Sequence, residues 1–145
     1  FWRPPAQGTQ RLWSPTPVAV PEVTRQRGDW TFEDAILLSL GFVWRDHFDA
    51  VPKGTRGYRS LVAQVRERGA GVMWHHRVTR NPSFYAHKMP KGVTAQPYTA
   101  LVSVGDLLGD AGLAAVGQSR HLGGGLLVPA DLPIELAQNV LGRRP

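Results

Sequence analysis

The sequence contains no cysteine. That absence excludes a disulfide framework and any zinc site built on thiolates, and it fits a reducing, cytoplasmic compartment. Long hydrophobic runs are missing as well. The longest, "AILLSLGFVW", stops at Arg45 and falls short of the ~18–20 apolar residues of a membrane span, so no membrane partner is expected. No signal-peptide pattern and no initiator methionine are seen at Phe1, and the expectation is a piece of a longer chain. Acidic residues are scarce: 11 Asp plus Glu stand against 17 Lys plus Arg, a formal charge of +6. Such a balance suits a polyanionic partner; charge alone fits nucleic acid or an anionic membrane face, and nucleic acid is the one expected. There is no H-E-x-x-H, and adjacent histidines on a strand point apart, so neither a metal site nor a cofactor is expected.

What is present is enough for one core, since 145 residues match a single domain. Residues 1–10, "FWRPPAQGTQ", read as a linker or N-terminal extension, and 11–145 as the domain. Within "RLWSPTPVAV", Pro15 and Pro17 withhold two ladder donors, which predicts an irregular or edge strand over Leu12–Val20. Thr31-x-x-Asp34 is a capping-box start, and Phe32, Ile36, Leu40 and Val43 follow at helical spacing, predicting a buried helix from Thr31 to Trp44. His47, just beyond it, suits the negative end of that helix. A second helix fits "GYRSLVAQVRERG", with Leu61, Val62 and Val65 inward and Gly69 as the stop.

From Gly71 the period changes to two. Strict alternation would place Val72, Trp74, His76 and Val78 on one face and Met73, His75, Arg77 and Thr79 on the other, the second set forming a donor surface for a ligand. "NPSFYAHKMPKGVTAQP" is proline-rich and basic, a long exposed loop, and "YTALVSV" is the next strand. "DLLGDAGLAAV" is weakly helical, "LLVP" a short strand, and the tail one more short helix with a basic end. The order is that of an α+β, ferredoxin-like (RRM-like) βαββαβ fold, with an extra helix and a glycine-rich loop before the last strand.

That loop, "GQSRHLGGGLLVP", is the most chemical stretch. Gly123, Gly124 and Gly125 let backbone N–H groups converge on phosphate oxygens, Arg120 offers a bidentate fork, and His121 a ring that exchanges a proton near neutral pH. A flexible turn with solvated Arg and His fits the same residues. So does the Arg-x-x-Gly-x-Gly pyrophosphate loop of acetyl-CoA-dependent N-acetyltransferases, in which the last glycine leads into a helix whose N-terminus holds the anion. "GLLVP" reads instead as a strand closed by Pro129.

The loop resembles the glycine-rich loop before the last strand of the CRISPR-associated RAMP proteins, through Gly117, Arg120, His121, Gly123, Gly125 and Leu126. Ser14-Pro15-Thr16-Pro17-Val18-Ala19-Val20 is similar to the "SxTPVxL" strand of the fused handle-binding and endoribonuclease subunit of type I-G systems. Leu122 and Gly124 depart from the larger residues common around these glycines, and the segment between the last two strands is longer and richer in glycine.

The resemblance implies a crRNA or precursor-crRNA ligand, other CRISPR effector (Cascade-like) subunits as partners, and metal-independent cleavage in which a ribose 2′-OH attacks the adjacent phosphate. A non-cutting RAMP domain that only holds the guide is the alternative. Cleavage needs a base, an acid and cations on the phosphorane. His121 is the first candidate for proton transfer and His87 the second. For RNA contact the candidates are Ser119, Arg120 and the three glycines, with Arg77, Arg80, Lys88 and Lys91 as cations and Tyr85 and Phe84 as stacking rings.

Overall fold

The computed structural model describes residues 3–79, 96–109 and 112–142. Four strands, β1 (Thr9–Thr16), β2 (Ala70–Arg77), β3 (Tyr98–Val104) and β4 (Leu126–Pro133), form one sheet in the order β2-β3-β1-β4. Every neighbouring pair is antiparallel, and the fold is α+β. Helices α1 (Phe32–Val43) and α2 (Thr55–Glu67) pack on one face, where Ile36, Leu40, Leu61, Val65, Val102 and Leu127 are buried together. Helix α3 (Ile134–Gly142) lies on the other face, and its Ala137 is buried against Leu12 and Met73. Among the described residues no helix is long and apolar enough to cross a membrane.

The start of α1 is set by the predicted capping box. The Asp34 N–H donates to Thr31 Oγ1 at 3.1 Å, and the Thr31 N–H donates to the Asp34 carboxylate at 2.9 Å. Two otherwise orphaned donors of the first turn are thereby satisfied. Arg66 of α2 closes on the second carboxylate oxygen at 2.7 Å, so the same side chain ties the two helices together. Burial pushes the Asp34 carboxyl up, but the hydrogen bonds from Thr31 and Arg66 outweigh it and hold the group below its ordinary range. A carboxyl depressed in the folded state contributes stability above its unfolded pKa of ~4 and loses it as pH falls through the folded value. Asp34→Asn is therefore expected to cost about 1–2 kcal/mol at neutral pH. In urea titrations the gap to wild type should narrow as pH falls below the unfolded value of ~4 toward the lower folded one. A gap that stays constant over that range would mean the charge contributes nothing.

Strand β1 differs from expectation in three ways. It begins at Thr9, inside the segment read as a linker, it ends at Thr16 rather than Val20, and it is an interior strand, not an edge. Its one proline, Pro15, is accommodated by its place in the two ladders, and Pro17 lies beyond the strand. The ladder with β4 pairs Thr9 with Pro133, Trp13 with Pro129 and Pro15 with Leu127, all at odd positions of β1. Leu127 sends its N–H away from β1, to the Ala114 carbonyl at 2.9 Å. Those odd positions are thus the non-hydrogen-bonded pairs of the β1–β4 ladder, so the Pro15 nitrogen faces β3, with which β1 pairs at Trp13–Val102 and not at Pro15, and no ladder donor is required there. Beyond Thr16 the chain touches β3 once more, through an isolated bridge between Ala19 and Tyr98.

Strict alternation also fails in β2. The register shifts between Val72 and Trp74, a bulge that adds one residue and inverts every later side chain. Val72 stays in the helix-covered core, Met73 joins the cluster under α3, and Trp74 and His76 share that second face with their rings stacked at 6.3 Å. His75 and Arg77 point to the α1 side, where both meet Phe32. Val72 therefore does not share a face with Trp74, nor Met73 with His75 and Arg77. Between β3 and β4 the expected weak helix is not formed among the described residues; a turn, a bridge from Ala115 to Leu126 and a short 3-10 turn over Arg120–Leu122 take its place. The last strand runs on to Pro133, four residues past Pro129, and the tail helix forms over Ile134–Gly142, while its expected basic end, Arg143 and Arg144, lies outside the described residues.

Candidate nucleic-acid interface

The glycine-rich loop is anchored to the chain that follows β1. The Gly125 N–H donates to the Val18 carbonyl at 3.1 Å, the Gly124 N–H to the Ser119 carbonyl at 3.0 Å, and the Gln118 N–H to the Val20 carbonyl at 2.9 Å. Ser119 is buried, and its carbonyl also accepts the Leu122 N–H at 2.9 Å. Two of the three glycine donors are thus spent on protein carbonyls and do not converge on an open anion site. The glycines serve close packing instead: a Cβ on Gly125, at φ +70, would overlap the Val116 carbonyl oxygen. Gly123, at φ +87, faces open space. Gly125 leads directly into β4, so the helix N-terminus on which an acetyl-CoA pyrophosphate loop depends is not found there.

Arg120 is held from within. Its Nη1 donates to the Glu22 carboxylate at 2.9 Å and to the Gly117 carbonyl at 3.1 Å. Glu22 accepts a second hydrogen bond, from Ser39 Oγ of α1 at 2.6 Å. Burial, and after it the nearby Glu22 carboxylate, pushes the Tyr98 hydroxyl far up, with Ser39 acting the other way, so the phenol stays neutral. The adjacent His121 is exposed on the one-turn 3-10 segment, and beside it Leu122 is 65% exposed.

A second cationic place lies at the far end of β2. Arg77 stands over the Phe32 ring, 4.4 Å from its centroid, and the Phe32 ring also meets His75 at 5.3 Å and Tyr98 at 5.5 Å, edge-on. Arg77 and Arg25 border a cavity of about 310 Å³ whose other lining residues are Thr24, Gln26, Trp30 and Phe32. Among the described residues no carboxylate lines it. The Arg120–Glu22 pair and this cavity are connected through Tyr98, which feels Glu22 on one side and packs on Phe32 on the other.

The structure therefore separates the candidates. It places Ser119, Arg120, His121 and the three glycines in one loop, and Arg77 elsewhere, at the cavity. Arg80, Tyr85, His87, Lys88 and Lys91, with Phe84, lie outside the described residues. The four described histidines are dispersed: His47 is exposed on the turn after α1, His75 packs on Phe32, His76 is exposed on Trp74, and His121 sits in the loop. Sequence reasoning missed Arg25, Trp30, the Glu22 anchor and Trp74, which is 51% exposed on the sheet. A tryptophan shortly after a basic "TRQR" run was the signal available for the first two. No family model matches the chain, and no curated protein or solved structure matches it.

Proposed function

We propose that this chain is an RNA-binding domain of the ferredoxin-like kind that holds CRISPR repeat RNA within an effector complex. The observation that carries the reading is the entry of Gly125 into a strand paired with β1, in a sheet ordered β2-β3-β1-β4 with antiparallel neighbours throughout. Ferredoxin-like sheets have that order, and a loop ahead of the last strand matches the RAMP likeness better than a cofactor pyrophosphate site. The departure is the stretch between β3 and β4, where that fold carries a second crossover helix and the described residues form turns. The excess of positive charge supplies the affinity, through phosphate contacts and counterion release.

Cleavage is the second reading, favoured by the exposure of His121 beside the loop. In it a histidine takes the proton of the 2′-OH as the oxygen attacks phosphorus. The departing 5′-oxygen receives a proton from a second group, leaving a 2′,3′-cyclic phosphate.

Filter binding of a repeat hairpin across a salt series checks the first reading. With roughly four to five phosphates engaged, log Kd should rise against log salt with a slope of about 3 to 4. A flat response would sink it. Incubation of the same RNA in EDTA checks the second: cutting that a single 2′-deoxy substitution at the scissile position stops, and that His121→Ala or His87→Ala slows by at least about 100-fold, is the expected result. Rates untouched by both substitutions would remove these histidines from the chemistry.

A further inference from the structure

Five arginines of the described residues are neutralised by carboxylates: Arg11 by Asp131, Arg59 by Asp29, Arg66 by Asp34, Arg68 by Asp106 and Arg120 by Glu22. Arg25 and Arg77 are different. Both are exposed, neither has an acidic partner among the described residues, and both border the same cavity. Two like charges held on one concavity without a counter-ion favour an anion between them. The rest of the lining is aromatic or neutral. Phe32 lies under the Arg77 guanidinium, and Trp30 forms a second aromatic wall whose buried Nε1–H has no hydrogen-bond partner among the described residues. Gln26 accepts the Thr55 hydroxyl at 2.8 Å through its carbonyl oxygen, which leaves its amide N–H groups for other use.

An anion alone would use the arginines and leave the aromatic walls idle, and a plain aromatic ligand would leave the charges unanswered. A volume of about 310 Å³ is at the low end of the ~300–1,000 Å³ of ligand pockets and matches one small unit of a polymer. We infer that the cavity seats a single unpaired nucleotide of RNA, its base against Trp30 and the Phe32–Arg77 pair, its phosphate between Arg25 and Arg77. The seat gives the proposed RNA-binding function a second contact point, apart from the glycine loop, and it rests on that reading only for the identity of the RNA. Stacking on the rings tolerates any base, so affinity is set by single-strandedness more than by sequence.

Heteronuclear NMR on the full chain tests this directly, with the Trp30 indole N–H resonance assigned by its loss in Trp30→Phe. Tetra-adenylate and tetra-uridylate should each shift that resonance saturably, and inorganic phosphate should not. Arg25→Ala combined with Arg77→Ala should weaken the tetranucleotides by at least about tenfold, while Arg77→Lys, which keeps the charge and loses the planar stack, should be intermediate. Both arginines are exposed, and an unchanged spectrum of the core methyl groups confirms that the variants fold. A Trp30 resonance that does not move, or that moves equally with phosphate alone, overturns the seat even where repeat RNA still binds the protein. Conversely, a saturable tetranucleotide shift with no preference of the protein for repeat hairpin over unrelated RNA of equal length upholds the seat and refutes the repeat-RNA reading.

Discussion

Gly125→Ala is expected to destabilise the protein by about 4 kcal/mol or more, and Gly123→Ala by only about 1 kcal/mol. Both residues have positive φ, so the backbone strain of an L side chain is common to the two. The surroundings differ. At Gly125 the new Cβ would overlap the Val116 carbonyl oxygen, and that backbone cannot step aside cheaply, because the Val116 N–H donates back to the Gly125 carbonyl at 3.0 Å. Relief would require breaking that bond or the one from the Gly125 N–H to Val18, both at the entry to β4. At Gly123 the Cβ would project into open space. Against a typical domain stability of ~5–15 kcal/mol, the first change leaves little folded protein and the second leaves most of it. Urea unfolding followed by tryptophan fluorescence separates them: the Gly123→Ala midpoint should fall by roughly 0.5 M, and the Gly125→Ala protein should be largely unfolded or fall by roughly 2 M. If instead Gly125→Ala folds like wild type and loses RNA affinity, the glycine is there for a ligand and the packing argument is wrong.

The same loop shows where sequence legibility stops. Thr31 and Asp34 announced the start of α1 because a capping box is a local device, complete within four residues. Tyr98–Val104 announced itself because its alternation is unbroken, with Tyr98, Ala100, Val102 and Val104 all turned to the core. β2 misled because a bulge leaves the residue types unchanged while inverting their faces after Val72. β1 misled because an interior strand tolerates a proline where the ladder its nitrogen faces is not continued, as on the β3 side of Pro15, and nothing local tells where a ladder ends. Three glycines, finally, declare conformational freedom and close approach, which a phosphate cradle and a packed turn require equally. The choice was made by carbonyls more than 100 residues upstream or within the preceding turn, at Val18 and Ser119. Arg25 and Trp30 were hidden for a related reason: their segment has no apolar period, and the cavity they border exists only once β2 brings Arg77 alongside Phe32.

Arg120→Ala is expected to lower stability by about 2–3 kcal/mol, and a loss of RNA affinity in that variant would not by itself assign the arginine to RNA. Its partner Glu22 is mostly shielded, with 18% of its side chain exposed, and it sits beside the Ser39 hydroxyl and the buried Tyr98. Removing the guanidinium strands that carboxylate among groups that cannot neutralise it. Glu22→Gln combined with Arg120→Gln leaves no unpaired charge and should recover part of the loss, with a coupling energy of about 1–3 kcal/mol in a double-mutant cycle. Nucleic-acid binding is then read from Glu22→Gln alone. Where Arg120 meets phosphate, the carboxylate competes with the RNA for Nη1, and weakening that competitor should tighten repeat RNA by about fivefold even as the folded state becomes less stable. Removal of any nearby negative charge also strengthens RNA binding, so Asp106→Asn, which releases Arg68 at the surface away from Trp30, serves as the reference in place of Asp29→Asn, whose partner Arg59 stands over the Trp30 ring. An effect of Glu22→Gln no larger than that of Asp106→Asn would confine Arg120 to holding the glycine loop against the segment after β1.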